Sequence, residues 1–188
     1  MKLNIYLLKL LIFLKKMNDE ILNKKELSKI NFGRIGKKVL ISTNVTIIGA
    51  NNIYLGNNVR IDDYSIISAK NGKIIIGSNV HIGGQTYFGC TGTILIKNNV
   101  NIAQGCKIYS LSDDYLKIYK INKSKRIKGT VTICNDVIIG SNSVIVGKCI
   151  LNDGCAVGAL SFVNKDLKKN GLYAGQPVKF IRQRNLIK

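Results

Sequence analysis

Apolar residues recur at every sixth position through most of this 188-residue chain. They form runs of three. The first is Ile35, Ile41 and Ile47, and the next Leu55, Ile61 and Ile67; Ile76, Ile82 and Phe88 follow, then Ile96, Ile102 and Ile108. After a gap come Ile133, Ile139 and Ile145, and finally Leu151, Val157 and Val163. Four places after these residues stand small or β-branched ones, such as Val59, Ser65, Thr86, Val100, Val137, Ser143 and Ser161. Six is three strand periods and does not fit a helix of 3.6 residues per turn. A fixed repeat of this length predicts a parallel β-helix. Each hexapeptide makes one short side of a triangular coil, its aliphatic residue fills the prism, and the small residue points inward near a corner. Three hexapeptides close a coil, and coils stack through ladder hydrogen bonds. Such triangular helices cross over with a left hand, against the usual rule. The expected fold is therefore all-β: a left-handed parallel β-helix over 31–167. A helical extension over 1–30 precedes it, a loop is inserted at 110–130, and a tail at 168–188 ends the chain.

The insertion is the one break in the pattern. Between Ile108 and Ile133 the chain runs SLSDDYLKIYKINKSKRIKGTVT, charged and carrying aromatics. Loops held on a rigid scaffold often carry function, although an insertion can also be merely tolerated. At the other end, residues 3–14 are mainly apolar, interrupted by Lys9 and followed by Lys15 and Lys16. Twelve helical residues reach about 18 Å, short of the ~30 Å hydrocarbon core of a bilayer. No small-residue cleavage site follows, so a signal peptide is not expected. The segment either packs on the protein body or lies on an anionic membrane surface with its lysines at the headgroups. Residues 17–30 read as a polar helical connector.

Charge adds less than its size suggests. Lys and Arg number 29 against 10 acidic residues, a formal net charge of +19, and only five of the basic residues are arginine. Abundant Ile and Asn alongside lysine fit an AT-rich coding bias, and net charge speaks to association rather than fold. The functional reading of the excess is an anionic ligand. No nucleic-acid-binding pattern is present, and none is expected as a partner. The single histidine, His81, excludes any site needing several imidazoles from one subunit, and no metal is expected. The five cysteines form no CxxC pair, so neither a disulfide framework nor a zinc ribbon is expected, and a reducing, cytoplasmic setting fits. Cys106, Cys149 and Cys155 fall in inward small slots and read as packing residues; Cys90 and Cys134 fall outside them.

The stretches VIIGSNSVIVGKCILNDGCAVGALSFVNKD at 137–166 and YAGQPVKFIRQR at 173–184 resemble the hexapeptide-repeat acyltransferases, in particular their sugar acetyltransferase branch. The resemblance spans about 35–184. RIDDYSIIS at 60–68, NVHIGG at 79–84 and IYSLSDDY at 108–115 are most similar to enzymes acetylating dTDP-4-amino-4,6-dideoxyglucose. The family resemblance implies acetyl-CoA as co-substrate, a homotrimer, and a cofactor groove between neighbouring helices along the C-terminal coils. It places Ser141 and Ala159 beside the pantetheine arm, Asn164 and Lys165 near the nucleotide end of the cofactor, and Lys179 and Arg182 on its phosphates. For Lys179 and Arg182 the plain alternative is a solvated tail.

The catalytic position departs from part of the family, whose maltose and galactoside enzymes carry histidine where this chain has Asp113. His81 precedes the inward Ile82, so strand alternation turns it outward. As general base it would take the proton of the attacking amine or hydroxyl, a role worth about 10²–10⁴-fold; a structural histidine is the alternative. Asp113 and Asp114 are candidates to hold a sugar ammonium, with Tyr115 beside them, or else they form an ordinary polar turn. His81 lies about one coil before that loop, so the two could meet across a trimer interface. A backbone N–H would steady the oxyanion.

The expected function is acetyl transfer to the amino group of a nucleotide-linked amino-deoxy sugar, for lipopolysaccharide or capsule biosynthesis. The alternative is O-acetylation of a sugar hydroxyl on a surface glycan. A γ-type carbonic anhydrase on the same fold needs three metal-binding histidines. A non-catalytic β-helix would need neither the AGQP tail, the GALS corner nor the repeat-breaking loop.

Overall fold

The computed structural model describes residues 21–113 and 126–185. They form a left-handed parallel β-solenoid of about six turns. Three sheets make the faces of a triangular prism. The first face stacks β1 (Leu40–Ile41), β4 (Val59–Ile61), β7 (Val80–Ile82), β10 (Val100–Ile102), β15 (Ile138–Ile139), β18 (Ala156–Val157) and β20 (Gly171–Ala174), with β21 (Lys179–Gln183) as its antiparallel edge. The second stacks β2 (Thr46–Ile48), β5 (Ile66–Ser68), β8 (Tyr87–Gly89), β11 (Lys107–Tyr109), β16 (Val144–Val146) and β19 (Phe162–Val163). The third stacks β3 (Ile53–Leu55), β6 (Lys73–Ile76), β9 (Thr93–Ile96), β14 (Thr130–Ile133) and β17 (Cys149–Leu151).

The six-residue pattern sets the interior. Ile41, Ile61, Ile82, Ile102 and Ile139 form one buried column, and Ile67, Phe88, Ile108, Ile145 and Val163 another. The small slots are inside as well: Ser65, Thr86, Cys106, Ser143, Cys149, Cys155 and Ser161 are all buried. Inward hydroxyls there bond across the corner, as Ser65 Oγ does to the Gly83 carbonyl at 3.2 Å and Ser143 Oγ to that of Gly158 at 3.0 Å. The expected first inward residue, Ile35, is 41% exposed. It belongs to the terminal coil, where no further coil covers it.

Two corners of each coil turn through a left-handed residue. Asn58, Asn79 and Asn99 have φ between 54° and 58° and are joined by side-chain hydrogen bonds of 2.9–3.0 Å. Asparagine tolerates this conformation better than other side chains, and here its amide continues the backbone ladder. Close coil stacking also demands glycine: a Cβ on Gly56 would meet the Gly77 carbonyl oxygen at 2.5 Å.

The ends depart from a plain prism. The polar connector is helical only as α1 (Lys24–Lys29), because Asn23 caps it in a capping box with Glu26, and Ile21 instead bridges to Ser42. Leu22, Leu27 and Phe32 cover one end of the core. The C-terminal tail is not loose: β20 continues the first face and β21 folds back on it after a cis Gln176–Pro177 bond. The insertion opens and closes as an antiparallel hairpin, β12 (Leu111–Asp113) with β13 (Arg126–Lys128), and leaves the coil between the second and third faces. The expected N-terminal apolar segment, Asp114 and Tyr115 lie outside the described residues.

Candidate active site

His81 stands on the outer side of β7, in register with Arg60 of β4 and Asn101 of β10. The three side chains therefore line one outward column, as strand alternation requires. His81 Nε2 lies 2.8 Å from Asp62 Oδ2, and Nδ1 lies 3.0 Å from Asn101 Oδ1. Arg60 Nε donates to the other Asp62 oxygen at 2.6 Å. Burial pushes the Asp62 carboxyl up, but the hydrogen bonds and charges of His81 and Arg60 outweigh it and hold the group below its ordinary value. An imidazolium satisfies both ring contacts as they stand; a neutral ring does so once the Asn101 amide is turned over. The carboxylate fixes the orientation of the imidazole, the arrangement by which a base is held ready for its substrate. An open groove of about 400 Å³ runs over this column, lined by Asn58, Arg60, Asn79, His81, Asn99 and Asn101.

The sequence reading missed Asp62 and Arg60 as partners of His81. The coil length marks Arg60, twenty-one residues before His81, as its counterpart on the preceding coil, whereas Asp62 lies two residues further on, at the coil corner. Asp113, in contrast, lies at the insertion, between the second and third faces, while His81 is on the first. One chain does not bring them together.

The expected cofactor residues fall around the C-terminal end of the second face. Ser141 and Ala159 occupy neighbouring coils at the corner between the first and second faces, where the Ser141 carbonyl accepts from Leu160 N at 2.9 Å. Asn164 and Lys165 are exposed just beyond β19, at the other edge of that face. Between the two corners lies a hollow of about 410 Å³ lined by Asn142, Val144, Ser161, Phe162, Gln176 and Pro177. Lys179 and Arg182 are exposed on β21, opposite Ala174 and Leu172. No group of three or more His, Cys, Asp or Glu that could hold a metal occurs among the described residues. No helix among them is long and apolar enough to cross a membrane.

No family model matches the chain. A dTDP-4-amino-4,6-dideoxy-D-glucose acyltransferase of Escherichia coli is 35% identical over 170 residues, 87% of this chain and 88% of that protein. The galactoside O-acetyltransferase of Escherichia coli K12 is 32% identical over 114 residues, 58% of this chain and 56% of its own. Among solved structures, AntD, an N-acyltransferase from Bacillus cereus in complex with dTDP and 3-hydroxybutyryl-CoA, matches with a TM-score of 0.82 and 34% identity. That match covers 89% of this chain and 91% of AntD. A serine-to-cysteine variant of AntD, in complex with dTDP-4-amino-4,6-dideoxyglucose and coenzyme A, matches equally well at 0.82.

Proposed function

The chain belongs to the hexapeptide-repeat N-acyltransferases of nucleotide-linked amino sugars, and on that premise we propose that its acceptor is dTDP-4-amino-4,6-dideoxyglucose and its donor acetyl-CoA. The enzyme is an acyl-CoA-dependent sugar N-acyltransferase. The observation that carries the choice of acceptor is the 35% identity over 87% of the chain to an acyltransferase of that sugar. The match to an O-acetyltransferase, over 58% of the chain, gives O-acylation less support.

In the proposed mechanism the sugar amine attacks the thioester carbonyl, a tetrahedral intermediate forms, and the C–S bond breaks to expel the CoA thiolate, which leaves as the thiol with the proton that His81 has taken from the amine. His81 accepts the amine proton through Nδ1 as Asn101 gives way to the acceptor, while Asp62 holds Nε2. The geometry favours this division because the carboxylate contact is the shorter and carries the charge. Asp113 and Asp114, with Tyr115, hold the sugar ammonium before it loses its proton. They act beside the His81 of a neighbouring copy, because Asp113 lies at the insertion while His81 is on the first face. The enzyme is accordingly a homotrimer, with the first face of each copy against the second of the next. Ser141 and Ala159 border the pantetheine arm, Asn164 and Lys165 its far end, and Lys179 and Arg182 the cofactor phosphates. It works in the cytoplasm, in lipopolysaccharide or capsule synthesis, with residues 1–16 either packed on the body or resting on a membrane.

The test is an acceptor and donor panel. dTDP- and UDP-linked amino sugars, and the same nucleotide sugars with a hydroxyl in place of the amine, are offered with acetyl-CoA and with 3-hydroxybutyryl-CoA, and free thiol is followed. Release with acetyl-CoA and dTDP-4-amino-4,6-dideoxyglucose above all other pairs is expected. Equal release with sugars lacking an amine would overturn the assignment.

A further inference from the structure

The turn between β5 and β6 carries one of the two Asn-Gly dipeptides of the chain, Asn71–Gly72; the other is Asn170–Gly171. An asparagine followed by glycine can lose its side-chain amide without an enzyme, because the glycine nitrogen reaches the side-chain carbonyl with no bulk in the way. The fold treats the two dipeptides differently. Asn71 is exposed and lies between strands that end at Ser68 and resume at Lys73. Its side chain makes no hydrogen bond to any described residue. Gly72 N donates only to the Ala69 carbonyl, at 3.4 Å, and that oxygen already accepts from Asn52 Nδ2 at 3.0 Å. The attacking nitrogen is therefore loosely held. Asn170, in contrast, is locked at a φ of 56°. Its N–H donates to the Asp153 carbonyl at 2.9 Å, its own carbonyl accepts from Arg184 N at 2.7 Å, and Gly171 is already paired with Gln183 of β21.

Gly72 is not free to change. A Cβ there would meet the Gly92 carbonyl oxygen at 2.7 Å and that of Cys90 at 2.8 Å, both backbone atoms of the next coil. Coil stacking thus imposes the very residue that makes Asn71 labile. Lys70 and Lys73 flank the dipeptide, and both are exposed. Their charges favour the deprotonated Gly72 nitrogen, which is the attacking form, and the oxyanion that forms at Asn71 Cγ.

We infer that Asn71 is a site of spontaneous deamidation. The Gly72 nitrogen gives up its proton to hydroxide and bonds to Asn71 Cγ. The bond from Cγ to the side-chain nitrogen then breaks, and that nitrogen takes a proton from water and leaves as ammonia. The cyclic imide that remains is opened by water at either of its carbonyls, giving aspartate or isoaspartate. Both products place a carboxylate between Lys70 and Lys73, on the rim of a cavity of about 580 Å³ that Tyr87, Tyr109 and Leu111 also line. Isoaspartate in addition lengthens the backbone by one carbon between β5 and β6, whose places on the second and third faces are fixed by stacking.

The experiment ages the intact protein and Asn71→Gln in mildly alkaline buffer, beside the same protein unfolded in guanidinium chloride. Peptides are mapped by mass spectrometry after chymotrypsin, which spares Lys70 and Lys73. In the native protein Asn71 should lose its amide severalfold faster than any other asparagine, with Asn170 intact. In the unfolded chain Asn71 and Asn170 should react alike, since only the fold distinguishes them. Isoaspartate should accompany aspartate, and the reaction should quicken as pH rises, because the amide nitrogen must lose its proton. Asn71→Gln should melt as the parent does and lack the early product. Asn71 intact in native protein after the unfolded chain has reacted, or Asn170 keeping pace with it, would overturn the inference. So would aspartate without isoaspartate, the mark of direct hydrolysis with no imide.

Discussion

His81 and Asp62 are nineteen residues apart in the chain and 2.8 Å apart in space. The coil length brings them together, and the pair ties the sole histidine to a carboxylate on the outer wall of the first face. Replacing His81 by alanine should lower kcat by about 10²–10⁴ with fold and assembly intact. Retention of more than about a third of kcat would instead favour the carboxylate route through Asp113 and Asp114.

Asp62 has a second signature, in stability. Its carboxyl titrates below its ordinary value in the folded protein because His81 and Arg60 favour the charged form over the opposing effect of burial. A depressed folded value stabilises the protein above the unfolded value of about 3.9 and loses that contribution as pH falls through the folded one. Asp62→Asn should therefore melt at a lower temperature than the parent at neutral pH, with the gap closing as pH drops below about 4. Melting curves between pH 7 and 3 check this. A gap independent of pH would mean that the carboxylate charge plays no part.

The basic residues of the C-terminal hairpin give a prediction on the cofactor. Lys179→Glu and Arg182→Glu should each raise the acetyl-CoA KM about ten- to a hundredfold, the value of a charge-assisted hydrogen bond, and leave the sugar KM nearly unchanged. Initial-rate kinetics with each substrate varied in turn reads the difference directly.

All five cysteines are buried. Burial pushes the thiols of Cys149 and Cys155 up to about 12, with the nearby Asp166 adding to the first. Thiolate is the reactive form. Cys149 and Cys155 should stay unmodified by iodoacetamide at pH 8 in the native protein and react once it is unfolded, as peptide mass mapping would show.

How much of this the chain discloses before folding differs from element to element. The interior was legible because a buried position tolerates few residue types: Ile61, Ile82 and Ile102, twenty and twenty-one residues apart, are the same slot on successive coils. The outward position of His81 followed from the same alternation. Its partners did not, since Asp62 lies at a coil corner and reaches His81 only through stacking of two coils. The packing of Tyr87 on Tyr109 was hidden for a like reason: Gly89, whose missing side chain permits it, reads in sequence as one more small residue. Ile35 carried the inward pattern without its burial, because a repeat does not announce where stacking ends.

Asp114→Asn should raise the sugar KM more than it lowers kcat, if the carboxylate binds an ammonium rather than moving a proton. An effect on kcat alone would assign it to proton transfer.

The enzyme transfers an acyl group to a sugar nitrogen. The most direct measurement of this is the product formed from dTDP-4-amino-4,6-dideoxyglucose and acetyl-CoA, analysed by mass spectrometry with fragmentation. One acetyl group should be added, carried on the amine as an amide that survives alkaline hydroxylamine, with one free CoA released per product. An ester on a hydroxyl, lost on that treatment, or an unmodified amino sugar would contradict it.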